Sequence, residues 1–291
     1  MEKVIKRNEL GYEVLVPESD KYGIGKRFIN REGCPFEIVD RCSDNRTYRY
    51  IVFLDDYGAE IRANISDIKK GRVKNPYFPS IEGAGFVGVG KYKQTVDGVI
   101  TREANLHRWM LRRVFSKKYQ ETRPTYKNVE VDDKLLNFQY FCGIVNKYPF
   151  WNMKDENNEY YQMDKDIFSV KRYDESTIVF VPREINMFFA NIQSKESKYA
   201  VGVNYYENKR LYVAQISGKY IGAFRTEIEA YECYCNARNK RAKELAQKYY
   251  GKIEIRVYDV LMNYDEMRRT GYSCRSLVEK LEKESKKVIE A

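Results

Sequence analysis

The chain has 291 residues, enough for two or three modules of ordinary size, and it carries 52 Lys and Arg against 42 Asp and Glu. This net charge of +10 makes a polyanion such as nucleic acid the expected partner, because Lys and Arg neutralise phosphates, although a merely basic surface has the same composition. The sequence has neither an N-terminal signal nor a run of about 18 apolar residues, so we expect a cytoplasmic protein with no membrane partner.

The cysteines do not form a recognisable metal site. Six of them occur in the chain, and none stands in a Cys-x-x-Cys pair. The single histidine, His107, cannot complete a zinc site with them. We therefore expect free thiols in a reducing compartment.

Residues 1–82 predict a small β module. Four segments alternate apolar and polar residues between turn signals, namely Gly25–Phe28, Phe36–Asp40, Tyr48–Leu54 and Ala59–Ala63. Such short strands are typical of a compact barrel or curled sheet, and they resemble SH3-like folds. Two prolines between Asn75 and Ser80 end this module.

Residues 83–102 are rich in glycine, and the segment from Gly85 to Lys91 nearly matches a P-loop. A P-loop needs Ser or Thr after its lysine to hold magnesium, whereas this chain has Tyr92. A hairpin signal at Val96–Val99 follows, where a P-loop would continue into a helix. We therefore interpret residues 83–102 as a linker.

Two helices are predicted next. The first begins at Glu103 and places Leu106, Trp109, Met110 and Val114 on one face. The second runs from Asp132 to Val145 and turns four residues inward, namely Leu135, Phe138, Phe141 and Cys142.

The stretch from Tyr199 to Arg238 contains three β-rich runs separated by turn residues, followed at once by an amphipathic helix that begins near Thr226. This order predicts a three-stranded antiparallel sheet covered by a helix. A turn at Thr270–Gly271 and a charged helix with Leu277 and Leu281 on one stripe complete the chain. The fold class expected from all these segments is α+β and multidomain.

The order and spacing of the segment from Tyr199 to Arg238 resemble the AP2 DNA-binding domain, which lays its sheet in the major groove of double-stranded DNA. The resemblance implies DNA contacts from the matching positions, which are Asn204, Tyr206, Tyr212 and Gln215 on the strands and Lys209, Arg210, Lys219 and Arg225 at the rims. Arginines that would pair with guanine are largely replaced here, whereas Asn and Gln can pair with adenine. A sheet used for protein contacts remains the alternative.

The middle of the chain resembles phage-encoded HNH-type homing endonucleases. Five segments carry this resemblance: Trp109–Arg113, Pro124–Val131, Phe138–Phe141, Met163–Ile167 and Val179–Asn186. The resemblance covers roughly residues 20–240 and implies an order of segments. These are a small β barrel-like module (1–82), the linker (83–102), an HNH-like ββα domain (103–192) and the AP2-like domain (193–255). The helical tail (256–291) lies beyond the resemblance and is predicted from its charge and leucine pattern alone.

An HNH centre holds one divalent metal between a hairpin and a helix. The resemblance implies that Asp164 and Asn186 are the metal ligands, and such oxygen ligands suit Mg²⁺ or Mn²⁺. Lys165 stands where the general-base histidine belongs, and a lysine beside Asp164 and Asp166 stays protonated. His107 is the only histidine that could replace it. The alternatives are a turn at a strand end for the aspartates, a surface amide for Asn186 and a packed or exposed side chain for His107.

The resemblance therefore implies a DNA-binding protein of the phage HNH/AP2 homing endonuclease type, with a degenerate nuclease centre, in the cytoplasm of a bacterial host. The alternative is a phage interaction protein that reuses the same scaffold. Such a protein would bind and inhibit a host protein or a nucleic-acid-handling defence complex.

Overall fold

A computed structural model describes residues 3–7, 13–17, 21–168, 170–190 and 198–270 of the chain. Within these ranges the protein is mixed α+β, with several small sheets and eight α-helices. The chain divides into two compact units, of which unit 1 comprises Met1–Lys147 with Arg172–Glu175 and unit 2 comprises Tyr148–Lys171 with Ser176–Ala291. The α+β class is confirmed, while the finer division into five segments stays a prediction.

The strands are short throughout. In chain order they are β1 (Lys3–Arg7), β2 (Glu13–Pro17), β3 (Arg27–Ile29), β4 (Pro35–Arg41), β5 (Tyr48–Phe53), β6 (Glu60–Asn64), β7 (Thr95–Val96), β8 (Val99–Ile100), β9 (Glu130–Val131), β10 (Gln162–Asp164), β11 (Arg172–Tyr173), β12 (Val179–Val181), β13 (Val203–Tyr206), β14 (Leu211–Ile216) and β15 (Lys219–Phe224). The α-helices are α1 (Ile65–Lys69), α2 (Arg102–Phe115), α3 (Lys117–Thr122), α4 (Phe138–Val145), α5 (Arg183–Phe189), α6 (Glu227–Lys248), α7 (Ile255–Met262) and α8 (Glu266–Arg269).

The main sheet of unit 1 has four antiparallel strands in the order β3-β4-β5-β6, so the strands predicted for this region are confirmed. Its core is made by alternate residues of β4 and β5, with Phe36, Ile38, Ile51 and Phe53 almost fully buried. In the described chain β3 and β6 remain at the two edges, so the sheet is open, and of the two expected forms, a barrel or a curled sheet, no closed barrel is formed. Closure would need a pairing between β3 and β6, and none is present among the described residues.

The glycine-rich segment packs against the start of α4 and does not form a phosphate-binding loop. A Cβ on Gly85 would lie 2.2 Å from Leu111 Cδ1, and one on Gly90 would lie 2.4 Å from Gln139 Oε1. Gln139 accepts a hydrogen bond from the backbone N–H of Tyr92 at 2.9 Å and donates one to its carbonyl at 2.9 Å. The glycines therefore allow a close approach between backbone and side chains within unit 1.

The two predicted helices of unit 1 are present, with two differences. The second begins at Phe138 instead of Asp132, because Asn137 is extended and its side chain accepts a hydrogen bond from the backbone N–H of Gln139, which starts a new helix after a short 3-10 turn. On α2 the buried residues are Ala104, His107, Met110 and Leu111, whereas Trp109, which the pattern placed on the inner face, is 46% exposed.

Unit 2 contains the predicted three-stranded sheet and its helix. The strands pair antiparallel in the order β13-β14-β15, and α6 packs on one face over Ala214, Ala230, Tyr231 and Cys235. Thr226 starts α6 through a capping box with Glu229, as the polar start of the predicted helix indicates. The helix continues to Lys248, which is ten residues beyond the predicted segment.

Arg238, in the middle of α6, anchors this helix through an ion pair with a buried carboxylate. The Arg238 guanidinium donates to the carbonyl of Phe188 at 2.7 Å and pairs with Glu266, which is 1% exposed, at 3.3 Å. These contacts connect α6 to α5 and to α8 within unit 2, and a buried pair of this kind is costly to break from one side. The predicted tail helix with Leu277 and Leu281 lies outside the described residues.

The described cysteines are free thiols, as expected, at positions 34, 42, 142, 233 and 235. Burial raises the pKa of Cys142 and of Cys235 to about 12. Both side chains therefore behave as small apolar groups of the core.

Candidate nucleic-acid interface

The hairpin and helix predicted for the ββα centre are present in unit 2. Strand β10 pairs antiparallel with β12, with Asp164 opposite Val179, and α5 begins directly after Pro182. The apolar residues of β12 are fully buried, which fixes the hairpin against the core. The local geometry that the sequence predicts is therefore formed, and the chemistry of its side chains can be assessed.

Asp164 is used by its own backbone turn. Its side chain is buried, and Oδ1 accepts hydrogen bonds from the backbone N–H of Lys165 at 2.6 Å and of Asp166 at 2.8 Å. Burial raises the pKa of this carboxyl above its ordinary value. These are the properties of a turn at a strand end, which the sequence offered as the alternative to a metal ligand.

Lys165 is also buried. Its side chain is 2% exposed, and Nζ donates to Asp166 Oδ1 at 2.5 Å. A protonated lysine has three donors and no acceptor, so an ammonium group paired with a carboxylate cannot activate a water molecule. Lys165 is thus paired with a carboxylate, as the aspartates on either side of it in the sequence predict.

Asn186 lies on α5 and donates from Nδ2 to Gln162 Oε1 at 2.6 Å. Because side chains alternate along a strand, Gln162 and Asp164 lie on the same face of β10, so Asn186 approaches the face that carries Asp164. The described residues nevertheless contain no group of three or more His, Cys, Asp or Glu that could hold a metal ion. Mg²⁺ is usually held by one or two protein carboxylates, with water and phosphate oxygens completing its shell, and in Asp164 one of the two carboxylate oxygens is already engaged by two backbone N–H groups.

His107 belongs to the core of unit 1, whereas Asp164 belongs to unit 2. The imidazole is fully buried against the rings of Phe138 and Phe141, and Nε2 lies 2.8 Å from the carbonyl oxygen of Leu135. A carbonyl can only accept, so Nε2 carries the proton, while Nδ1 has no partner within the described residues. Burial lowers the pKa of His107 to about 4. The packed histidine is therefore confirmed, and the catalytic role is not supported.

The outer face of the sheet β13–β15, opposite α6, carries the remaining candidate residues. Asn204 Nδ2 donates to Gln215 Oε1 at 3.1 Å, and Gln215 Nε2 donates to the hydroxyl of Tyr206 at 3.4 Å. Tyr220 lies directly opposite Gln215 on β15 and is 65% exposed. We call these four residues, Asn204, Tyr206, Gln215 and Tyr220, the outer sheet face. They form a hydrogen-bonded polar surface bordered by an exposed aromatic ring.

Tyr212 does not lie on this face, and the prediction that it does is wrong. It stands opposite Tyr205 and packs on the α6 side of the sheet, with its ring 4.8 Å from that of Tyr205 and 5.7 Å from that of Tyr199. Residues three apart on one strand point to opposite faces, so Tyr212 and Gln215 cannot both face outward on regular alternation. Tyr220 was not among the residues predicted for this face, although pairing counted outward in both directions from the turn at Ser217–Gly218 places it opposite Gln215.

The predicted rim cations are all exposed and occupy both ends of the sheet. Lys209 and Arg210 lie in the connection between β13 and β14, and Arg225 follows the end of β15 beside them. Lys219 begins β15 at the opposite end, after the turn formed by Ser217 and Gly218, both of which have positive φ. The outer sheet face therefore lies between three cations at one end of the sheet and Lys219 at the other.

Comparisons with models of protein families, with curated proteins and with solved structures find no match to this chain. Among the helices of the described residues, none is long and apolar enough to cross a membrane.

Proposed function

We propose that the protein binds double-stranded DNA through the outer sheet face. The observation that carries this proposal is the polar surface of Asn204, Tyr206 and Gln215, which lies on the sheet face opposite α6 and between basic ends. Three strands about 4.8 Å apart span roughly 10 Å, and the major groove of B-DNA is about 12 Å wide. A sheet of this width enters the groove with its side chains directed at the base edges.

The charges at the ends of the sheet fit the same arrangement. The six residues of β14 extend over about 20 Å, and the rim cations Arg210 and Lys219 stand at its opposite ends. Cations at that separation can contact phosphates on both sides of a groove, which fixes position and orientation without reading sequence. Asn204 and Gln215 then contact base edges, and adenine is the base whose N6 and N7 an amide pairs with through two hydrogen bonds.

We further propose that the ββα centre supports the fold and does not cut DNA. Three observations favour this: Asp164 is occupied by backbone N–H groups, Lys165 is paired with Asp166, and the only histidine is a core residue of unit 1. A hydrolytic step needs a general base, and neither Lys165, which is paired with Asp166, nor His107, which is fully buried, is available for that role. The family resemblance in this part of the chain then concerns the fold alone.

Duplex binding is tested by fluorescence anisotropy of a labelled duplex over a series of salt concentrations. We expect binding that weakens steeply with salt, because each phosphate contact releases counterions. Supercoiled plasmid incubated with the protein in Mn²⁺ should stay intact, with and without Asp164→Ala. Nicking that disappears in Asp164→Ala would overturn the inactive centre. Failure to bind any duplex at low salt would overturn the DNA proposal and favour a protein partner.

A further inference from the structure

Helix α2 of unit 1 carries a second exposed surface that the proposed function does not use. Its exposed residues recur at the spacing of one helix face and are Asn105, Arg108, Trp109, Arg112 and Phe115, which we call the Trp109 face. Trp109 is 46% exposed and Phe115 is 39% exposed, although the opposite stripe of the helix is fully buried. Two large apolar side chains on the same helix face, bordered by Arg108 and Arg112, form the kind of exposed patch that marks a binding surface.

The aromatic ring of this face is held in place by neighbours. The guanidinium of Arg112 lies 5.2 Å from the ring centre of Trp109 and 5.7 Å from that of Tyr119 on α3. The two rings meet edge to face at 6.2 Å. Helix α3 is anchored to the end of α2 by Gln120, which donates to the carbonyls of Arg113 and Val114. The platform is therefore ordered before any ligand arrives, which lowers the entropic cost of binding.

The surroundings of this platform are strongly basic. Residues 102–127 contain eight Lys and Arg and two Glu, a net charge of +6 out of +10 for the whole chain. Arg113 is not part of the surface, because its guanidinium lies inward and donates to the hydroxyl of Tyr173. Arg108, Arg112, Lys117 and Lys118 are exposed on and beside the Trp109 face. A polyanion is the ligand that this charge favours.

We propose that the Trp109 face binds single-stranded nucleic acid, with an unpaired base stacked on Trp109 and the adjacent phosphates bound by Arg108, Arg112 and Lys118. A base inside a duplex has both faces covered by its neighbours and must be unstacked before a side chain can reach it, so an exposed stacking ring favours a base that is already unpaired. Stacking on an aromatic side chain combined with backbone cations is the usual way in which proteins bind single strands. An acidic protein segment would use the cations but would leave the tryptophan without a planar partner.

The chain allows a direct optical test, because it contains only two tryptophans, Trp109 and Trp151. In the full-length Trp151→Phe variant the emission comes from Trp109 alone. We expect oligothymidylate at low salt to quench this emission, and an abasic oligonucleotide of equal length to bind more weakly without quenching. In the otherwise unchanged chain, Trp109→Ala should weaken binding to oligothymidylate about 10-fold. Arg112→Gln should also weaken it and should flatten its dependence on salt.

Two controls separate this proposal from its alternatives. Gln215→Ala on the outer sheet face should leave binding of the single strand unchanged, so failure of the duplex proposal does not decide this one. Polyglutamate should neither quench Trp109 nor compete at equal charge. Equal binding of oligothymidylate by the parent and by folded Trp109→Ala would overturn the proposal. Equal quenching by polyglutamate would also overturn it and would indicate an acidic protein partner.

Discussion

The outer sheet face and the ββα centre both lie in unit 2, and both were predicted from the order of their polar residues. Their side chains differ in exposure and in how firmly neighbouring groups hold them. On the outer sheet face, Asn204 and Tyr206 are exposed and hydrogen-bond to Gln215 at distances of 3.1 Å and 3.4 Å. In the ββα centre, Asp164 and Lys165 are buried and engaged by their own neighbours.

The difference shows how to separate a ligand surface from a structural turn. A polar group can serve a ligand when it is exposed and can exchange its present partner for a better one. A buried carboxylate that accepts two backbone N–H groups stabilises the turn, and removing it leaves those donors unsatisfied. His107, the most deeply buried of the predicted catalytic residues, is the extreme case of a polar group held by the fold.

The largest expected effect concerns His107 and the stability of unit 1 at low pH. Its pKa is about 4 in the folded state and near 6.5 when unfolded, so between these values the unfolded chain binds more protons and stability falls as the pH falls. Between pH 7 and pH 4 this amounts to about 3 kcal/mol. Urea unfolding at both pH values should show a smaller pH dependence in His107→Gln, which can still donate to the Leu135 carbonyl. An unchanged pH dependence would contradict the core assignment.

The next effect concerns Asp164 as a structural residue. Asp164→Ala removes the acceptor of two backbone N–H groups and should lower the free energy of unfolding by about 1–3 kcal/mol. Asp164→Asn keeps an acceptor oxygen at the same place and should lose much less. Neither change should alter the affinity for duplex DNA. If Asp164→Asn lost as much stability as Asp164→Ala, or if either lost duplex binding, Asp164 would have a role beyond its turn.

A smaller effect is expected from the outer sheet face. Gln215→Ala removes an amide that contacts a base edge in the proposed complex, and it should weaken duplex binding by about 1–2 kcal/mol. Tyr212→Phe is the matched control, because Tyr212 lies on the α6 side of the same strand and the change keeps its ring packing. Anisotropy titrations with an A·T-rich duplex provide the measurement. The reverse order of effects would place the DNA on the other face.

The smallest effect is expected from a single rim cation. Lys219→Gln should weaken duplex binding by less than about 1 kcal/mol at physiological salt and should reduce the slope of log affinity against log salt by about 1. Lys243→Gln on α6 is the control, since it makes the same change in net charge at an exposed position away from the outer sheet face. Equal slopes for the two variants would mean that net charge alone drives binding.

Much of the secondary structure followed from local signals. Strands β3–β6 and β13–β15 have alternating patterns between turn residues, and α6 begins at a capping box, so neighbouring residues contain the information. The start of α4 was missed because a 3-10 turn and Asn137 interrupt a continuous apolar pattern. In the described part of the chain the sheet β3–β6 is open and not a closed barrel. Short strands predict a curled sheet, but they do not decide whether its two edge strands pair.

The sequence alone thus determined the strands of the two larger sheets, the positions of α2 and α6, the basic charge and the paired state of Lys165, because these depend on residues close together in the chain. The tertiary structure decided which side of a strand or helix meets the core. It turned Tyr212 inward and Trp109 outward, buried His107 in unit 1, and occupied Asp164 with its own turn. Periodicity fixes which residues share a face, but only packing between distant segments decides which face is covered.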